Sequence, residues 1–96
     1  ATTVIKSIDS LGVIETFSVA SSILAADAGV KAAHVDIIEI RCATGLGGKS
    51  FLYLTGDVDS VRAAVEAAVD VLEGTGLILS HVVIPSPTDD ISRSIL

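Results

Sequence analysis

A chain of 96 residues can form one domain around one core and is too short for two. Its net charge of -6 excludes the Lys/Arg surplus that nucleic acid or an anionic membrane demands, and no apolar run approaches the length of about 18 residues needed to span a bilayer. Half the residues are hydrophobic but few are aromatic, so Ala, Val, Ile and Leu must carry the core, and the single cysteine, Cys42, rules out an intrachain disulfide.

The opening "ATTVIKSIDS" is weakly periodic and ends in turn-prone residues, which marks residues 1–10 as an arm or interdomain linker before a domain over 11–96. "SLGVIETF" alternates as a strand, with Leu11 and Val13 on one face and Gly12, Ile14 and Thr16 on the other. Ser18 is placed to cap a helix whose apolar stripe is Val19, Ile23, Ala26, Val30 and Ala33. Asp27 and Lys31 stand four apart on it, the favourable order for an ion pair.

"VDIIEIRC" is a second strand and "SFLYLTGD" a third, in which Phe51, Tyr53 and Thr55 alternate with Leu52 and Leu54. Asp57 can cap the second helix, "DVDSVRAAVEAAVDVLEG". Its stripe is Val58, Val61, Val65, Ala68 and Leu72, and Gly74 stops it. "LILSHVVIP" is a fourth strand ended by Pro85 and Pro87, and "TDDISRSIL" can form a short C-terminal helix. The order βαββαβ predicts an α+β, ferredoxin-like domain, a four-stranded antiparallel sheet with both helices on one face. The bare face of such a sheet calls for cover, so a homo-oligomer is expected.

"ATGLGGKS", Ala43 to Ser50, has the spacing of a phosphate-binding P-loop with Ala43 at the first glycine position. A P-loop must run into a helix, whose N-terminus holds the phosphates. Here a strand follows, so the segment is a hairpin loop and not a nucleotide site. No Ser/His/Asp order with a nucleophile elbow and no carboxylate pair in a polar loop is present, so no catalytic residue is assigned. His34 and His81 have no ligand-spaced neighbours. Glu15 and Glu39, inside strands, are expected to pair at a subunit edge.

Four ordered segments resemble the bacterial microcompartment (BMC) shell proteins: "GVIET", "AADAGVKAAHV", "TGDVDSVRAAVEAAV" and "HVVIPSP". The pairing of "ETFSVAS" with "GLGGKS" is similar to one branch, the second domain of tandem trimeric shell proteins of propanediol-utilisation compartments. The absence of any methionine fits a processed chain or a piece of such a longer protein. The resemblance implies a cytoplasmic shell role in hexameric or pseudo-hexameric trimeric rings, which tile with other shell proteins around encapsulated enzymes. Gly45, Leu46, Gly47, Gly48 and Lys49 would then line a central pore for small polar metabolites. Glycines that serve only a tight hairpin, and a Lys49 that is only a solvated charge, are the plainer readings of the same residues.

Asp27, Lys31, Pro85 and Ser86 would lie on the ring edge, with Ser86 standing where the family has an Arg that stitches rings together. Cys42 reads as a small, half-buried strand residue. Its alternative is a redox conduit, with an iron–sulfur cluster held at the axis by Cys42 from several copies; otherwise no cofactor is implied. A PII-type trimeric sensor is the remaining alternative for a ferredoxin-like fold, though the long loops and basic nucleotide contacts it needs are missing.

Overall fold

The computed structural model describes residues 9–43 and 48–86. Its elements are β1 (Ser10–Thr16), α1 (Val19–Ala32), β2 (Asp36–Cys42), β3 (Ser50–Gly56), α2 (Val58–Leu72) and β4 (Ile78–Ile84). The sheet order is β2-β3-β1-β4 with every neighbouring pair antiparallel. This is the expected βαββαβ architecture. β1 begins at Ser10, the last residue assigned to the arm. The arm's residues 1–8 and the expected C-terminal helix lie outside the described residues.

Alternation decides what each central strand buries. β1 turns Ser10, Gly12, Ile14 and Thr16 inward, and β3 turns Ser50, Leu52 and Leu54 inward. Ile14, Leu52 and Leu54 meet Ala25, Ala26, Val61, Ala64, Val65, Ala68 and Leu72 in one core between the sheet and both helices. α1 lies mainly over β2 and β3, and α2 over β1 and β4.

Both helix starts follow from their capping residues. Ser18 Oγ accepts from the Ser21 amide at 3.1 Å. Asp57 accepts from the Ser60 amide at 2.9 Å and from Ser60 Oγ at 3.0 Å. These bonds to the Ser60 amide and then the Ser60 hydroxyl hold the Asp57 carboxyl below its ordinary pKa, because they favour the charged form. Gly74 ends the second helical segment at φ 83°, a conformation that glycine reaches without a Cβ clash.

The two helices differ in how well their stripes were anticipated. On α2, Val61, Val65, Ala68 and Leu72 are buried together with Ala64, and Val58 is half-buried. On α1 the expected stripe is corrected. Ser21, Ser22, Ala25, Ala26 and Gly29 are buried, whereas Ile23 is 55% and Val30 41% exposed. The cause is close packing. A Cβ added at Gly29 would lie 3.4 Å from the Ala64 carbonyl oxygen and 3.5 Å from Ala64 Cβ. Only small side chains fit between helices this near, so the large residues of α1 turn outward.

Candidate functional site

The glycine loop joins two paired strands, with Cys42 opposite Ser50. Its root is closed by the Ala43 amide, which donates to the Lys49 carbonyl at 2.8 Å. Gly48 has φ 83°, and Lys49 is half-buried where the chain returns. Ser50 enters β3 directly. With no helix to receive phosphates, the loop lacks the strand-to-helix geometry of a P-loop. Of the five residues assigned to the pore, Gly48 and Lys49 are described; Gly45, Leu46 and Gly47 lie outside the described residues.

Cys42 is exposed, not half-buried as expected. Its cross-strand partner Ser50 is fully buried, because β3 lies inside the sheet. Among the described residues β2 is an edge strand, paired with β3 alone. Among the described residues no three His, Cys, Asp or Glu side chains gather where they could hold a metal ion. His34 and His81 are both exposed.

The four residues expected at a ring edge divide by position. Lys31 donates to Asp27 at 2.9 Å on the outside of α1. With both side chains mostly exposed, this i,i+4 pair is worth only about 0.3–0.5 kcal/mol. Pro85, exposed, and Ser86, half-buried, follow β4 at the other edge of the sheet. Glu15 and Glu39, expected at a subunit edge, each also have a partner within the chain. Glu15 accepts from Ser80 Oγ at 3.0 Å across β1 and β4. Glu39 grips Arg41 through Nε at 2.8 Å and Nη2 at 3.3 Å. That hydrogen bond, and then the Glu39 charge, raise the Arg41 pKa further above its ordinary value.

Beside the loop root, the fold assembles a hydroxyl cluster that no sequence motif marks. Thr16, Ser22 and Ser50 are buried and bonded to one another, and Ser18 pairs with Ser21 Oγ at 2.8 Å. One signal was present. Thr16 shares the inward phase of β1 with Gly12 and Ile14, which places a hydroxyl in the core.

Large apolar side chains remain exposed on two sides. Ile23, Leu24, Val30, Ile37 and Ile38 belong to α1 and the β2 edge. Val71, Leu79, Val82 and Ile84 belong to α2 and the β4 edge. On the strand face away from the helices, Phe51 and Tyr53 stack with ring centres 6.3 Å apart and planes at 28°. Among the described residues, no helix is long and apolar enough to cross a membrane.

The BMC domain model matches residues 10–87. The bacterial microcompartment shell protein PduT of Citrobacter freundii is 38% identical over 86 residues, covering 90% of this chain and 47% of PduT. The shell protein EutM of Salmonella typhimurium is 34% identical over 85 residues, covering 88% of this chain and 86% of EutM. The crystal structure of a microcompartment protein from Desulfitobacterium hafniense DCB superposes with a TM-score of 0.77 at 52% identity, over 90% of this chain and 48% of that one. The chain therefore spans about half the length of PduT and of the Desulfitobacterium protein. With a matching domain that runs from the first strand past the last, the chain belongs to the BMC domain family.

Proposed function

We propose that this domain is a structural, non-catalytic building block of a microcompartment shell in the bacterial cytoplasm, placed in a ring of like domains whose glycine loops surround a passage for small polar metabolites. The observation that carries this reading is the pair of apolar edges, one on α1 and β2 and the other on α2 and β4. A domain of this size hides only about 60–65% of its chain surface alone. Two different edges meeting head to tail give a heterologous contact, which closes into a ring when its rotation divides the full turn. PduT and EutM are both named as shell proteins, which supports the shell role. A hexamer of single domains and a trimer of two-domain chains give the same ring. The half-length coverage of PduT supports the second arrangement. Other shell proteins would tile beside the ring, and enzymes would lie within the shell.

Lys49 at the loop root and backbone amides nearby favour small anions or polar metabolites over cations. The proposal needs no cofactor. Its test is the passage itself. Gly47→Trp is expected to leave folding largely intact and to lower small-solute flux through reconstituted rings, and Gly47→Ala to preserve thermal stability. Lost stability in Gly47→Ala with unchanged flux in Gly47→Trp would make the glycine a hairpin requirement only.

A further inference from the structure

Three buried hydroxyls lie in a row beneath the loop root, each from a different element. Thr16 closes β1, Ser22 belongs to the first turn of α1, and Ser50 opens β3. Ser22 Oγ donates to Ser50 Oγ at 2.9 Å, and Thr16 Oγ1 lies 2.9 Å from Ser22 Oγ. Ser22 has one proton and gives it to Ser50, so Thr16 is the donor left for the middle contact. The Ser18 carbonyl faces the same Thr16 hydroxyl at 2.8 Å and shares its proton. All three residues are fully shut off from solvent.

Apolar residues of the same size would fill this space without any polar group to satisfy. What hydroxyls supply is direction, since each bond fixes a distance and an angle that methyl contacts leave loose. Their position shows what they direct. Ser50 follows Lys49, whose carbonyl closes the loop root on Ala43. Ser50 is also paired across the sheet with Cys42 on one side and Thr16 on the other. A Cβ built at Gly48 would stand 4.0 Å from the Phe17 carbonyl oxygen, so the returning chain passes close to the corner between β1 and α1. The Phe17 amide ties that corner to the residue just before β4 by donating to the Leu77 carbonyl at 3.0 Å.

We propose that the chain Thr16–Ser22–Ser50 is the positioning element of the loop root, holding the start of β3 to the first turn of α1 and so keeping the Ala43–Lys49 closure in place. Its consequence for solute passage rests on the pore reading above. The test is amide hydrogen exchange on the full chain, comparing Ser22→Ala and Thr16→Val with Val61→Ala. Val61 is fully buried and belongs to the opposite end of the core, against Gly12. Exchange at the Ala43 amide should rise by about tenfold in the two hydroxyl variants, as expected for local opening after a hydrogen bond is lost. In Val61→Ala it should rise only as far as global stability falls. Equal exchange at Ala43 in all three variants would overturn the proposal. Flux through reconstituted rings separates the two readings. Faster exchange with altered flux supports both, and faster exchange with unaltered flux keeps the positioning role while counting against the pore.

Discussion

Ile38→Lys should dissociate the assembled protein into single chains while leaving each chain folded. Ile38 is exposed and stands at the register shift between Ile37 and Glu39, so it is the extra residue of a β-bulge with no cross-strand partner. Replacing it disturbs no pair in the sheet, and chain stability should change by no more than about 0.5 kcal/mol. At an interface, by contrast, burying the half of Ile38 that is still exposed contributes about 0.7–1.5 kcal/mol. Losing it weakens each contact by about 3- to 10-fold. An unpaired ammonium on an edge strand adds a further cost and is a common natural block to edge pairing. In the proposed ring every interface carries the change, so the effect compounds. Light scattering or sedimentation reads the mass, and a melting curve on the dissociated variant reads the fold. A Lys variant that keeps the wild-type assembled mass would remove the α1–β2 edge from the interface.

Gly12→Val should markedly lower the stability of the chain. A Cβ at this position would lie 2.9 Å from Val65 Cγ2, 3.0 Å from Val61 Cγ1 and 3.7 Å from Leu54 Cβ. The two valines are stiff at χ1 within α2, so neither methyl can swing away. The helix would have to lift from the sheet. Overpacking of this kind costs about 1–3 kcal/mol, and Tm falls by about 4–8 °C for each kcal/mol in a domain of this size. The diagnostic result is a change of sign. Val65→Ala should destabilise the natural chain by opening a cavity, yet stabilise the Gly12→Val chain by making room. If Val65→Ala costs the same in both backgrounds, the close approach of α2 to Gly12 is not what limits that position.

The order of elements was legible because each boundary carries local chemistry: Ser18 and Asp57 as caps, Gly74 as a stop, and inward alternation at Gly12, Ile14, Leu52 and Leu54. The buried face of α1 was not. Hydrophobic periodicity gives weight to large side chains, and in this helix Ile23 and Val30 face outward while Ser21, Ala25 and Gly29 face the core. Periodicity finds the greasier face, which is the core face only when the neighbouring helix leaves room for it. The exposure of Cys42 was hidden for a related reason. Alternation gives the face of a strand on which a residue lies, but not whether the strand is central or at an edge. The loop's strand-to-strand setting could be read from Ser50 onward, whereas the hydroxyl row beneath it joins residues far apart in sequence and emerges only when the sheet is assembled.

The outward turn of the large residues on α1 also bears on how the molecule survives before it meets a neighbour. Small residues between the helices leave the isolated domain with less apolar surface removed from water than its composition would allow. In the proposed assembly the remainder is buried by the adjoining domain, so folding and association share one source of free energy. Mass action then applies to heat resistance itself: such a protein melts at a temperature that rises with its own concentration. A newly made copy is at its least stable when dilute and gains its durability by being incorporated.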